Sequence, residues 1–429
     1  MKLPFQTILI IVFVIGFVVA IAIFSGLFSS SSKTASTTPT GSVVVWGVLP
    51  FADMQKYVDN FNSENYGYTL DYSQHNPDTF YQDVINALAN GQSPDLVIIN
   101  SEQYSQLSSK LYTIPFTAYT ERQYRDTNID GGQLFLSSTG IGALPLLVDP
   151  LVVYYNKDIL ASKNFLVPPK TWDDLQAAIP FLTKRDTKRQ IIQSTVALGE
   201  ANNILHARDI LSTLFLQTGN PIVSNQKAVL NNGSSATETP ASVEALNYYT
   251  SFANPTTDNY TWNSSLPESL QNFLAGKSAF YIGRASELFQ IQSQNPNLNF
   301  DVTQMFQSST GGRSVTYGSM LAVGIMAKAP NSIAAYAAAN QLASSASIDM
   351  LSKQFSLPPV RRDLLQISQS NPYVSVFFQA ALSAFSWPDP NPTSTNTIFR
   401  DMINNVNSNT TDTQTAIDNA TRDLQTTIQ

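Results

Sequence analysis

The chain of 429 residues carries 24 Lys and Arg against 31 Asp and Glu, a net charge of −7, with charged residues at 13% and apolar residues at 43%. This length implies two domains at ~100–200 residues each, and the acidic balance excludes a nucleic-acid binder, which needs a basic stripe to displace counterions. No cysteine is present, which excludes disulfides, thiolate metal sites and thiol catalysis.

In chain order, Ile8 to Phe24 is an unbroken apolar run, and Gly26, Leu27 and Phe28 extend it. A helix of about 20 residues spans the ~30 Å hydrocarbon core. The run is longer than a signal-peptide apolar region, and no clean cleavage site follows. Residues 1–28 therefore read as an uncleaved membrane anchor, with a cleaved signal as the alternative. Lys2 favours an inside N-terminus. Residues 29–41 have no apolar core former and read as a flexible linker with a reach of roughly 20 Å.

Val43 to Trp46 reads as a buried strand, and Phe51, Met54, Val58 and Phe61 as one face of a helix. Tyr68 to Tyr72 reads as a second strand, Phe80, Val84 and Leu88 as a second helical face, and Asp95 to Ile99 as a third strand. Gly91 and Pro94 end the helix between them. This alternation implies a parallel sheet with right-handed crossovers, in which ligands bind beyond the carboxyl ends of the strands. Those ends are Trp46 to Leu49 and Asn100 to Glu102. A second sector opens with a strand at Leu151 to Tyr155. Thr171 caps a helix whose first-turn carboxylates oppose the helix dipole. The basic residues Lys184, Arg185, Lys188 and Arg189 read as a solvated helix end or loop, and 220–239 as surface loops. A strand covers Lys277 to Ile282, another Leu321 to Met326, and an alanine-rich helix 333–344. The last ~60 residues read as helices with loops rich in Pro and Asn.

Several stretches together resemble the family 1 extracellular solute-binding proteins of ABC importers, the maltose-binding-protein-like group. They are Val43-Val44-Val45-Trp46-Gly47, Gly91 to Val97, Ala143 to Asp149 with Tyr154 to Asp158, Pro169 to Leu175, Phe273 to Ala279, and Leu357 to Arg362. The resemblance implies an α/β, two-lobed periplasmic-binding-protein-like fold (type II) behind an N-terminal transmembrane helix. Lobe one would comprise 42–148 and 314–362, and lobe two 149–313 and 363–429. The implied function is capture of a small solute, carbohydrate favoured, between the lobes and delivery to permease subunits. The expected protein is a monomer attached to the cell membrane by one pass, with its globular part outside. A membrane-anchored sensor or adhesin on the same fold is the alternative.

Candidate ligand contacts follow from this placement. Asp149 can accept two hydroxyl hydrogen bonds or be a turn residue before Pro150. Trp46 can stack on a sugar face or belong to the core. Arg284, at a strand end, can bind an anionic or carbonyl group or form a surface ion pair. Asn100 and Ser101 follow the third strand, and Tyr317, Gly318 and Ser319 form a cleft-side loop before Leu321. Trp387 lies in a late loop that could cover the cleft. Ala285 stands where maltose-binding relatives carry an aromatic, and no aromatic platform is evident near Thr397, so a maltodextrin is not the implied ligand. His75 sits in a loop-like stretch and His206 in a helical one. Neither lies in a hydrolase or zinc-protease frame, so no catalytic residue, metal or cofactor is assigned.

Overall fold

The alternation expected at the start of the body is present in the computed structural model, which describes residues 38–232, 240–309, 311 and 313–428. The expected anchor and the tether before residue 38 lie outside the described residues. Among those described, no helix is long and apolar enough to cross a membrane. The fold belongs to residues from Gly41 on, which form one compact unit.

Strand β1 (Gly41–Gly47) pairs in parallel with β2 (Tyr68–Gln74) and β3 (Leu96–Ile99). Helix α1 (Phe51–Ser63) buries Met54, Tyr57, Val58 and Phe61. The expected face shifts by part of a turn, because Phe51 in the first turn is 49% exposed. Helix α2 (Phe80–Ala89) ends at Asn90, and Gly91 takes a φ of 70°, the left-handed position that closes a helix and suits glycine. Asp95, at the Pro-Asp turn into β3, is buried and accepts from the Val44 and Asn331 backbone N–H groups at 2.9 and 2.7 Å. One carboxylate thereby ties β1 to the start of the later alanine-rich helix.

Alternate residues of β3 enter different cores. Leu96 and Ile98 pack with Val43, Met54 and Ala338, while Val97 and Ile99 pack with Phe80, Val84 and Phe135. This is the two-sided burial of a sheet covered by helices on both faces.

The second sector departs from expectation at its start. The strand expected at 151–155 is the latter part of the 13-residue β4 (Leu144–Asn156). Asp149 and Pro150, expected as a turn, lie inside it. The sheet continues through β5 (Lys184–Arg185), β6 (Ile191–Val196), β7 (Ser278–Arg284), β8 (Phe300–Gln304), β9 (Thr316–Ile325) and β10 (Ala384–Phe385). Its order is β2-β1-β3-β9-β4-β7-β6-β5, with β8 on β4 and β10 on β9. Residues 144–150 of β4 pair antiparallel with β9, whereas 151–156 pair with β7 and β8. Pro150 stands where β4 changes partner, a place where a missing backbone donor costs little. Tyr317, Gly318 and Ser319, expected as a loop, lie in β9, with Gly318 opposite Pro150 and Ser319 opposite Asp149.

Helices α3 (Ser101–Leu107), α4 (Trp172–Leu182), α5 (Ala207–Gln217), α6 (Ala241–Ser251), α7 (Ser332–Leu342) and α8 (Pro392–Asn407) complete the scaffold needed here. Thr171 caps α4 as expected, in a reciprocal box with Asp174. In the β4–β7–β6 half, Leu151, Val153, Phe280 and Ile282 pack with α4 and α5 on one face, and Val152, Tyr154 and Tyr281 with Phe273 and Phe300 on the other. The sheet thus has two halves with separate cores, crossed by β4 and β9.

Candidate binding site

The site forms where β3, β7 and β9 meet the first turns of α3 and α5. Asn100 accepts from the Gln103 N–H at 2.8 Å and donates its own N–H to the Gln103 side chain at 3.0 Å. This reciprocal cap starts α3 immediately after β3 and fixes Glu102 in its first turn. His206 lies in the turn just before α5, not within a helix, so Arg208 and Asp209 open α5. Ile210, Leu211, Leu214 and Phe215 bury the rest of that helix. On β9, alternation sends Tyr317 and Ser319 to one side and Thr316, Gly318 and Met320 to the other.

These side chains form a continuous charged network. Glu102 accepts from the Tyr317 hydroxyl at 2.6 Å, from Ser319 Oγ at 3.2 Å and from Arg208 Nη2 at 3.2 Å. Arg208 donates Nε to Asp209 at 3.0 Å and Nη1 to Asp389 at 3.2 Å. Arg284 Nη2 donates to the other oxygen of Asp209 at 2.6 Å. The two guanidinium carbons lie 6.0 and 5.8 Å from the centre of the Tyr317 ring, within reach of its π-face. Asp389 also accepts from Thr395 Oγ1 and the Asn391 N–H. Alongside, Glu287 takes His206 Nε2 at 2.7 Å, the Tyr281 hydroxyl at 2.8 Å and the Arg284 N–H at 3.0 Å. Asp149 accepts from the Ser286 N–H at 3.0 Å and Oγ at 2.7 Å.

Burial and charge decide the protonation states. Burial would raise Asp209, but Arg208, Arg284 and His206 outweigh it and hold the carboxyl at about 2. Burial dominates at Asp389, pushing it up to about 6 against the pull of Arg208. Asp149 is also raised by burial, against Arg284 and Ser286. Burial works against the Glu287 charge, yet the His206 hydrogen bond holds its carboxyl below the usual range. Tyr317 is pushed far above the ordinary phenol value by burial and by the Glu102 and Asp209 charges, which keeps it a neutral donor.

A pocket of about 460 Å³ opens on this network, lined by Asn202, His206, Arg208, Asp209, Arg284, Thr397 and Arg400 among others. A larger hollow of about 890 Å³ lies at the other end of α5, beside Trp172, Gln217 and Tyr248. Its central amide is already occupied: Gln217 accepts from Trp172 Nε1 and donates to the Phe306 and Val315 carbonyls. The smaller pocket is the better site, because buried charges of both sheet halves converge beside it. Among the described residues no group of His, Asp or Glu is disposed to hold a metal ion.

Of the candidate residues, Asp149, Arg284, Tyr317 and Ser319 share this region. Trp46 ends β1 half-buried, its ring 4.2 Å from that of His75 at 34°. Asn100 is the α3 cap. Ser101 is fully buried, and its Oγ accepts from the Met320 N–H at 2.8 Å. Gly318 provides close packing: a Cβ there would lie 2.7 Å from that of Ala384. Trp387 is not a loop cover. Its indole is buried, stacks on Phe399 at an interplanar angle of 12°, and donates to Ser212 at 3.3 Å. Sequence reasoning missed Arg208, Asp209 and Asp389, and it pointed to the segment Asn100 to Glu102 without singling out Glu102. The available signal at Arg208-Asp209 was a charge pair opening an apolar helical face in a chain poor in charge.

A profile for the bacterial extracellular solute-binding proteins matches residues 56–376. The chain belongs to that family. Binding proteins of Brucella abortus and Brucella suis are 26% identical to it over 266 residues. The match covers 60% of this chain and 60% of the curated relatives' length. Among solved structures, the cyclic alpha-maltosyl-1,6-maltose binding protein of Arthrobacter globiformis superposes with a TM-score of 0.75 at 17% identity, covering 90% of this chain and 98% of that one. The GacH receptor of Streptomyces glaucescens, solved with acarbose, gives 0.69 at 16%, covering 91% and 98%. An ABC substrate-binding protein of Listeria monocytogenes in complex with cycloalternan gives 0.67 at 17%, covering 90% and 99%. The two-lobed α/β solute-binding fold is common to all of them.

Proposed function

We propose that this family member captures a small solute, carbohydrate favoured, in the cleft between two lobes and delivers it to the permease subunits of an ABC importer, catalysing nothing. The observation that carries the reading is the charged network set beside the two crossing strands, in which Glu102 of one half holds Arg208 of the other. A polar pocket lined by second-lobe residues opens on the Arg208–Asp209–Arg284 side of it. Lobe one comprises 42–148 and 314–362, and lobe two 149–313 and 363–429. Short crossing segments of this kind can serve as hinges. Carboxylates, guanidinium groups, amides and a threonine hydroxyl around the pocket supply the donors and acceptors that sugar hydroxyls use. The solved neighbours named for maltosyl-maltose, acarbose and cycloalternan support the carbohydrate class. Trp46, Asp149, Arg284, Tyr317 and Ser319 would contact or orient the solute, with Glu102 and Arg208 added to them. Residues 1–28 anchor the protein by a single pass, residues 29–41 tether it, and the body stands outside the cell as a monomer.

The test is thermal unfolding of residues 41–429 against mono- and oligosaccharides, amino acids, peptides and polyols. A ligand at 100 times its Kd stabilises the native state by ~2.7 kcal/mol, which is several degrees at ~2–4 °C per kcal/mol. A carbohydrate should produce that shift, and Asp149→Ala and Arg284→Ala should abolish it. A shift from amino acids or peptides alone would overturn the carbohydrate class. No shift from any of these solutes would count against small-solute capture itself.

A further inference from the structure

The strands of the second half have two ends. At one, Arg284 of β7 lies opposite Leu151 of β4; at the other, Phe280 lies opposite Tyr155. From that second end β4 runs on to Asn156 and a short helix, Lys157–Ala161. A loop then carries Leu166, 96% exposed, and Val167, 63% exposed, ahead of Pro168-Pro169. The Phe165 ring meets that of Phe181 edge-on at 6.2 Å, and Phe181, in the last turn of α4, is 59% exposed. Phe165, Val167, Pro168, Ala177 and Phe181 line a shallow groove of about 520 Å³. Directly beyond α4 comes the β5–β6 hairpin, which places Lys184, Arg185, Lys188 and Arg189 in solvent, with Lys163 and Lys170 exposed on the loop.

Charge is distributed unevenly to match. Residues 157–196 hold seven Lys and Arg against four Asp and Glu, a net +3. The rest of the chain, with seventeen against twenty-seven, is at −10. Lys170 and Asp174 flank the groove at the first turn of α4, while Lys163, Lys184, Arg185, Lys188 and Arg189 stand exposed elsewhere along the loop and hairpin. Exposed apolar side chains bordered mainly by basic ones match a bilayer interface. There, apolar groups enter the boundary between headgroups and acyl chains, and Lys and Arg meet anionic lipid.

We propose that this pole of the second lobe docks on an anionic lipid surface. The proposal draws on the membrane-anchored reading above, in which a linker of roughly 20 Å reach holds the body at the bilayer. Pro168 and the buried Pro169 stiffen the chain immediately behind the exposed Leu166 and Val167, so little conformational freedom is lost on insertion. Asp149 and Arg284 sit at the opposite end of the strands, which leaves the cleft unobstructed.

Residues 41–429, free of the anchor, are sedimented with vesicles of phosphatidylcholine alone or mixed with phosphatidylglycerol. Binding is expected to the mixed vesicles only and to weaken with added salt. Leu166→Asp with Val167→Asp should weaken it at least ~10-fold, and Lys184→Glu with Lys188→Glu by about fivefold per residue. Both variants should keep the unfolding temperature and ligand response of the parent. No binding to anionic vesicles, or binding indifferent to both variants, overturns the proposal. So does patch-dependent retention by a lipid-free membrane-protein extract in place of vesicles, which assigns the surface to a protein. Fractionation of the full chain reports on the anchor separately, so failure of the anchor and failure of the patch are distinguishable.

Discussion

The two ends of the second half's strands are built on opposite terms. At the cleft end, charged side chains are buried and each has a partner: Glu102, Asp209 and Asp389 share Arg208 and Arg284. At the far end, Leu166, Val167 and Phe181 stand in solvent among unburied basic residues. The contrast teaches where each region's energy resides. Removing one partner at the cleft end leaves a buried charge uncompensated, whereas the far end can change with almost no effect on the fold.

The sharpest way to break this comparison is Arg208→Ala. It strips a counter-ion from three buried carboxylates and should cost ~3–5 kcal/mol in urea unfolding. A variant as stable as the parent would show that the cleft charges are not a unit. Next comes Asp389→Asn followed across pH. The folded pKa of about 6 lies above the unfolded ~3.9. Its stabilising contribution is therefore whole below about pH 4 and is lost as pH rises through 6. Relative to the Asn variant, the parent should gain up to ~3 kcal/mol between pH 7 and pH 4, read from melting curves of both. Asp209, held at about 2, has the opposite sign: its contribution is full above ~4 and fades only as pH falls through 2. Tyr317→Phe deletes the 2.6 Å donor to Glu102 and should cost ~1.5–3 kcal/mol, as for hydrogen bonds to charged groups. A smaller loss would move weight from Tyr317 to Ser319 and Arg208. Smallest is Leu166→Ser, expected within ~0.5 kcal/mol of the parent; a large loss would make the far loop part of the core.

The strands and helices over 43–99 were legible because their periodicities are clean and Gly91 and Pro94 punctuate them. The crossing strand was not, since Asp149-Pro150 has the composition of a turn. In the structure the proline marks a change of strand partner within one continuous strand. Tyr317 to Ser319 were read as loop for a related reason: Gly318 suggests a turn, but its role is close approach to Ala384. Asp149 and Arg284 could be singled out from their places beside strands, and the structure brings them to one region through Ser286 and Glu287. Glu102 lies one residue past the pair singled out, and Arg208-Asp209 carries no motif. Asp389, set between prolines, shows its importance only through contacts 181 residues away in sequence. Long-range pairing of this kind leaves no local pattern to read.

The placement of the four tryptophans makes the molecule its own optical instrument. Trp172, Trp262 and Trp387 are buried in the second half's core, where indoles emit at short wavelength and are shielded from aqueous quenchers. Trp46 ends the first strand, half-buried against His75, at the edge where β3 hands over to Glu102. Red-edge emission and iodide quenching therefore report mainly on this one residue, and a solute seated beside it would silence the quencher without any attached dye.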